Sequence, residues 1–216
     1  KDALILKNGA RLVKEFPHVP GIDFSGVVEA SDHKDFKSGD EVILTGWRVG
    51  EIYLGGYSQY AKVNGDFLVK KPKNLNLRQS MILGTAGLTA LMCSFTTKAT
   101  REELLLGDKV EDVIVSGASG GVGSMAVMML SKLGCNVTAV TGKDSNVEYL
   151  KSIGAKNVIN TSELIKDARP LDKGLWDGAV DTVGGKVLEN ILSQTKDAGI
   201  VSACGNAADI KLNTTV

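Results

Sequence analysis

The residues with the most chemical content lie in one run, Val113-Ile-Val-Ser-Gly-Ala-Ser-Gly-Gly-Val-Gly123. Ala118, Gly120 and Gly123 stand at the three positions of a G-x-G-x-x-G spacing, with alanine in the first. A small residue there permits a tight turn, a missing Cβ in the second position lets a diphosphate touch the backbone, and glycine in the third lets a helix pack close to its strand. An apolar, β-branched stretch precedes the turn, and Ser124-Met-Ala-Val-Met-Met-Leu-Ser-Lys-Leu-Gly134 reads as a helix after it. That context makes a common spacing specific. Ser119, Gly120, Gly121 and Val122 are expected to line a dinucleotide diphosphate held on free N–H groups at the helix start.

A second group of residues bears on which dinucleotide. The predicted strand Asn136–Val140 ends in Thr141-Gly142-Lys143. A site for an unphosphorylated ribose places a carboxylate at this tip. Here a hydroxyl, a bare backbone and a cation occupy it. Thr141 can donate to a 2′-phosphate, Gly142 lets it approach and Lys143 supplies charge, so NADP(H) is the expected cofactor. A solvated turn with an ordinary surface lysine is the other reading of the same residues. Asp144, one residue later, is expected to cap the next helix. Gly205 and Asn206 follow the run Ile200–Cys204, at a predicted carboxyl strand end facing the same crevice. Thr182, at the end of the preceding strand, is a further candidate.

Two kinds of element must position these residues. Residues 1–76 read as β-rich: Gly26–Glu29, Asp40–Thr45, Tyr57–Val63 and Phe67–Val69 are short strand-like runs separated by glycine-containing turns. Residues 77–216 change grammar. Leu77–Thr97 reads as a long helix interrupted by Gly84 and Gly87. Strands are then predicted over 111–116, 136–141, 157–160, 178–183 and 199–203, and helices over 121–134, 144–153, 162–167 and 185–195. This alternation implies an α/β fold, a doubly wound parallel sheet with right-handed crossovers. Met125, Met128, Met129 and Leu133 form a stripe expected to pack on the sheet. Lys98–Asp112, rich in charge, reads as a surface connection.

The whole chain narrows the function classes. Its 216 residues hold 25 Lys plus Arg against 25 Asp plus Glu, so no net charge recommends nucleic acid or an anionic membrane. No apolar run approaches the roughly 20 residues of a membrane span, and no signal peptide is visible. Cys93, Cys135 and Cys204 are scattered in apolar contexts and read as core residues of a cytoplasmic protein. With only His18 and His33 as histidines, no metal cluster can be assembled. His18 lies in a proline-flanked loop and reads as structural. The chain begins at Lys1 and stops at Val216 after a predicted strand, so it is expected to be a fragment of a longer protein.

The two halves together resemble the medium-chain dehydrogenase/reductase superfamily. Lys1-Asp-Ala-Leu4, Pro20-Gly-Ile-Asp-Phe-Ser-Gly26, Leu44-Thr-Gly-Trp47, Gly65-Asp66, Gly84-Thr-Ala-Gly-Leu-Thr-Ala90 and Asp181-Thr-Val-Gly184 are similar to the zinc-free quinone-oxidoreductase branch, and within it to the acrylyl-CoA reductases. The resemblance covers essentially the whole chain. It implies a partial GroES-like barrel before a Rossmann domain, with the first barrel strands and the last Rossmann units missing, and a homodimer. Zinc members carry Gly-His-Glu where this chain has Gly21-Ile22-Asp23, and isoleucine cannot ligate a metal.

The reaction implied is hydride transfer from NADPH to an electron-poor carbon, in an enoyl-CoA such as acryloyl-CoA or in a quinone. The alternative is a non-enzymatic NADPH-binding member of the same superfamily. The Gly84–Ala90 helix either permits close packing or, as in the family, brings Thr89 to the cofactor. The segment from Gly46 to Gly56 is long for a hairpin, so Trp47, Arg48 and Tyr53 are candidates for a substrate-facing loop. Arg48 either pairs with a coenzyme A phosphate or is an ordinary exposed arginine. No residue presents itself as the proton donor: the family's tyrosine beside the nicotinamide directly precedes the position of Lys1 and is not in this sequence.

Overall fold

The computed structural model describes residues 1–8, 12–104, 109–170 and 172–213. They divide into two compact units, Lys1–Thr85 and Ala86–Val216.

In the first unit α1 (Asp2–Asn8) precedes β1 (Asp23–Val27), β2 (Glu41–Thr45) and β3 (Leu68–Lys70), an antiparallel sheet in that order. The period-2 alternation of β2 buries Val42 and Leu44 and leaves Glu41 outside. Tyr57–Val63, expected as a strand, joins no ladder among the described residues. Gly56 and Tyr57 donate to the carbonyls of Gly21 and Pro20, but beyond them Tyr60 is exposed. Strand propensity expresses pairing and packing on a neighbour, and among the described residues no strand pairs with this segment.

The helix α2, Leu77–Leu104, runs further than expected. The predicted connection Lys98–Asp112 is therefore helical through Leu104, while residues 105–108 lie outside the described residues. The helix breaks at Gly84 (φ 46°, ψ −152°). There the Asp23 carboxylate accepts from the Thr85 N–H at 2.7 Å and restarts the helix as a cap borrowed from β1. A Cβ on Gly84 would stand 2.8 Å from that carboxylate oxygen.

Leu77–Ala99 is long and apolar enough, by length and composition, to cross a membrane. This corrects the expectation that no such run exists. Ser, Thr and Gly interrupt the count of consecutive apolar residues yet dilute the mean hydropathy little. The second half of the helix packs on the second unit's sheet: Thr97 is buried and its hydroxyl donates to the Ala179 carbonyl at 3.2 Å.

The second unit continues with β4 (Asp112–Val115), α3 (Gly121–Lys132), β5 (Asn136–Thr141), α4 (Val147–Ser152), β6 (Asn157–Asn160), β7 (Trp176–Asp181), α5 (Gly185–Ser193) and β8 (Thr195–Ala203). All five strands are parallel, in the order β6-β5-β4-β7-β8. Strand order reverses at β4, where an open α/β sheet forms its ligand crevice. Val113 and Val115 face one core with Ala126, Val127 and Leu130 of α3, while Ile114 faces another with Val187 and Ile191 of α5. Both faces of β4 are thus dry, as its unbroken apolar run requires.

The expected methionine stripe is only partly core. Met125 and Met129 pack at its margin, but Met128 and Leu133 are exposed. The buried face is Gly123, Ala126, Val127 and Leu130, at i, i+3, i+4 and i+7. Met128 lies off this face and so stays in solvent.

Candidate functional site

The turn after β4 is held from three sides. Ala118 N–H donates to the Val140 carbonyl of β5 at 3.0 Å, and Gly120 N–H to Gly117 at 2.9 Å. Gly117 adopts φ 55°, and a Cβ there would meet the Thr182 hydroxyl at 2.3 Å. Gly123 faces the Gly117 carbonyl so closely that a Cβ would stand 2.3 Å from its oxygen. The third position of the spacing therefore does what was expected of it. Ser119, Gly120 and Gly121 are exposed and Val122 is half-buried. Gly120 is the N-cap of α3 and offers no side-chain hydrogen bond to the first N–H groups. That helix end is open to an anion.

The tip of β5 lies beside it. Thr141 is buried, with its hydroxyl 3.4 Å from that of Ser119 and accepting from the Lys143 N–H at 3.3 Å. Gly142 and Lys143 are exposed. A Cβ on Gly142 would make only an ordinary contact, 3.6 Å to the Thr161 hydroxyl, so nothing inside the fold asks for glycine there. Asp144 does not cap α4, whose N-cap is Asn146. It opens the 3₁₀ turn Asp144–Asn146 and accepts from the Asn160 side-chain amide at 3.4 Å. The intervening turn moves the helix start beyond the reach of its carboxylate.

Across the crevice, the ends of β4 and β7 are tied by a network that local patterns do not reveal. Asp181 is fully buried and accepts from the Ser116 hydroxyl at 2.6 Å, the Gly184 N–H at 2.9 Å and the Val183 N–H at 3.3 Å. Ser116 in turn accepts from the Thr182 N–H at 2.9 Å, and the Thr182 hydroxyl donates to the Ser116 carbonyl at 3.1 Å. Thr182 thus shapes the crevice wall from the backbone side. Charge-assisted bonds of this kind contribute about 1.5–3 kcal/mol each. Asp181→Asn exchanges one acceptor oxygen for a donor facing other donors, and should lower stability by about 2 kcal/mol in urea unfolding.

Gly205 packs under Thr182, where a Cβ would stand 2.4 Å from the Thr182 carbonyl oxygen, and Asn206 is exposed beside it. Thr89 is half-buried on α2, one turn after Ala86, whose Cβ would lie 3.2 Å from a Cβ on Gly121. The i, i+3 relation puts Thr89 on the helix face turned toward α3.

Cys93 and Cys135 are buried, but Cys204 is exposed, which corrects its reading as a core residue. It follows β8, where the chain leaves the sheet. Its Sγ donates to the Asp181 carbonyl at 3.4 Å. Although the residue is exposed, partial desolvation of its sulfur, and then the Cys93 thiol beside it, push the Cys204 thiol up to about 12, so it stays protonated at neutral pH.

In the first unit, Trp47 stacks on Phe67 with ring centroids 4.9 Å apart, and Tyr53 tilts against the same ring at 5.7 Å. Arg48 Nε lies 3.8 Å from Glu51. His18 Nε2 donates to the Gly50 carbonyl at 2.9 Å, a structural role. Asp2, at the start of α1, accepts from the N–H groups of Gly21 and Ile22 at 3.0 and 3.2 Å, and Tyr57 donates to its second oxygen at 3.4 Å. The Asp2 charge, above all, raises the Tyr57 phenol above its ordinary value.

Two family models match this chain: an alcohol dehydrogenase GroES-like domain over residues 1–73 and a zinc-binding dehydrogenase domain over residues 121–215. The chain belongs to the medium-chain dehydrogenase/reductase superfamily. Among superfamily members it is 45% identical over 217 residues to the acrylyl-CoA reductase AcuI of Ruegeria pomeroyi, covering 100% of this chain and 64% of the relative. It is 42% identical over 206 residues to YhfP of Bacillus subtilis, a candidate quinone oxidoreductase, covering 95% of this chain and 61% of the relative. The crystal structure of the Salmonella enterica yhdH oxidoreductase in complex with NADP superposes with a TM-score of 0.91 at 47% identity, over 99% of this chain and 64% of that one. The B. subtilis yhfP structure, with NAD bound, gives 0.90 at 40% identity, over 99% and 64%. This chain thus spans somewhat less than two thirds of the length of these superfamily members.

The zinc of the superfamily's matched model does not fit the residues present. Ile22 has no donor atom, and the Asp23 carboxylate is committed to the Thr85 N–H. Among the described residues no group of three His, Cys, Asp or Glu side chains could hold a metal ion.

Proposed function

We propose that this chain forms the NADP(H)-binding part, and a portion of the acceptor-binding part, of a zinc-independent reductase. Its acceptors are electron-poor: α,β-unsaturated acyl-CoA thioesters such as acryloyl-CoA, and quinones. The observation that carries this reading is the pairing of an uncapped, exposed α3 N-terminus with the exposed Gly142–Lys143 tip beside it. The first takes a diphosphate and the second a 2′-phosphate. The AcuI relative and the NADP-bound yhdH structure support it.

When bound, the nicotinamide supplies hydride to the electron-poor carbon of the acceptor. Ser119, Gly120, Gly121 and Val122 would hold the diphosphate with backbone N–H groups and the helix dipole. Thr141, Gly142 and Lys143 would hold the 2′-phosphate. Gly205 and Asn206, at the end of β8, and Thr89 on α2 would border the rest of the dinucleotide. Asp181, through Ser116 and the Thr182 and Gly184 N–H groups, fixes the crevice walls so that little reorganisation accompanies binding.

The test is turnover by the full protein of acryloyl-CoA, crotonyl-CoA and a benzoquinone, followed as loss of NADPH absorbance. Oxidation of NADPH with at least one of them is expected, and turnover of none would sink the proposal.

A further inference from the structure

The loop from Gly46 to Gly56 carries an arrangement that folding alone does not require. Gly46, Trp47 and Arg48 are three consecutive left-handed residues, with φ of 84°, 56° and 60°. For the two non-glycines this conformation is disfavoured and needs its surroundings to hold it. They do: the Arg48 carbonyl accepts from the N–H groups of Glu51, Ile52 and Tyr53, and Gly50 N–H donates to Tyr53 at 2.8 Å. Val49 is fully buried, and Gly50 lies so close to Gly21 that a Cβ would stand 2.7 Å from its carbonyl carbon.

This rigid loop holds a large aromatic surface in water. The Trp47 indole is 57% exposed although one face lies flat on Phe67, with 9° between the rings. Tyr53, 53% exposed, borders the same ring. Charge accompanies the rings. Two cations share the Glu51 carboxylate, Lys1 at 2.5 Å and Arg48 through Nε at 3.8 Å. Lys1 has the closer hold on it, and the Arg48 side chain is 58% exposed.

We infer that Trp47, Tyr53 and Phe67, with Arg48, form a docking platform for the adenosine 3′,5′-bisphosphate end of a coenzyme A thioester. Adenine stacks on the free indole face, and the guanidinium takes a phosphate. The exposed guanidinium decides between the acceptors of the proposed function, on which this inference rests. A quinone is aromatic but uncharged and gains nothing from Arg48, whereas the nucleotide end of coenzyme A is both aromatic and anionic.

The test uses the full protein saturated with NADP⁺, so that the bisphosphate cannot enter the cofactor site. Calorimetric titration with adenosine 3′,5′-bisphosphate should show binding that weakens with added salt. Base stacking on an aromatic side chain corresponds to about a tenfold change in affinity or more. Trp47→Ala should therefore weaken that binding about tenfold, and lower the ratio of kcat/KM for acryloyl-CoA to that for acryloyl-pantetheine by a similar factor. Trp47→Phe keeps a stacking face and should recover most of both, which separates stacking from folding. Arg48→Met should remove the salt dependence. Failure of the bisphosphate to bind the NADP⁺-loaded protein, or an equal loss of kcat/KM for the two thioesters in Trp47→Ala, would overturn the inference. Turnover of no acceptor by the wild type overturns the proposed function instead, and the bisphosphate titration, which needs no turnover, still decides this one.

Discussion

Gly123→Val should lose dinucleotide binding and unfold at markedly lower urea than the parent. The first atom of the new side chain would stand 2.3 Å from the Gly117 carbonyl oxygen and 2.7 Å from Ala118 Cα. Both are backbone atoms of the turn itself, so no rotamer change relieves the clash. The turn cannot yield either, because Ala118 is bonded to β5 and Gly117 lies against the Thr182 hydroxyl. The helix must move outward, pulling Ala126, Val127 and Leu130 from the sheet core. Overpacking of this kind costs about 3 kcal/mol, and the shift also carries the α3 N–H groups away from the proposed diphosphate position. Gly142→Ala is the informative contrast, since its Cβ finds only an ordinary 3.6 Å neighbour. It should leave the urea midpoint where it is and weaken NADPH alone. A matching stability loss in the two variants would mean that Gly142 serves the fold and not a ligand.

What could be read from the chain in advance, and what could not, divides along sequence distance. β4, α3, β5 and β6 fall where their patterns put them, because apolar runs, glycines and caps a few residues apart determine each one. The network that shapes the crevice from behind is not legible in the same way. Ser116 and Asp181 read as the ends of two predicted strands, Asp181 also as part of a family motif, and only the adjacency of β4 and β7 joins them in a buried network. Asp23 stood out as a departure from a zinc-binding pattern, yet its role is to cap a helix restarted at Thr85, 62 positions away. Cys93 and Cys204 became neighbours only because α2 lies along the end of β8. The errors have the same origin. Tyr57–Val63 has strand composition without a ladder, and Met128 has helical spacing without a place in the core. Composition states a preference, and the partner that satisfies it is chosen by the fold.

In the proposed function the choice between cofactors turns on one exposed cation, and Lys143→Glu should reverse it. Lys143 sits on a tip whose backbone is fixed by Thr141 and opened by Gly142, and it makes no ion pair among the described residues. Its charge is therefore available to a 2′-phosphate. Losing a charge-assisted bond costs about 1.5–3 kcal/mol, and a carboxylate in its place adds repulsion of a phosphate. The ratio of NADPH to NADH affinity should fall by at least about a hundredfold. NADH binding should change little, because its ribose hydroxyl offers no charge to repel. Ionic strength supplies an independent check: salt should weaken NADPH binding to the wild type and leave NADH almost unaffected, and that difference should vanish in Lys143→Ala. The NAD-bound yhfP structure makes the outcome a real decision within the superfamily. If Lys143→Glu leaves the affinity ratio unchanged, the exposed lysine is an ordinary surface residue. The carboxylate of Asp144, now drawn aside by Asn160 at 3.4 Å, then becomes the group that meets the ribose. In that case Asp144→Asn, and not any change at Lys143, should weaken NADH.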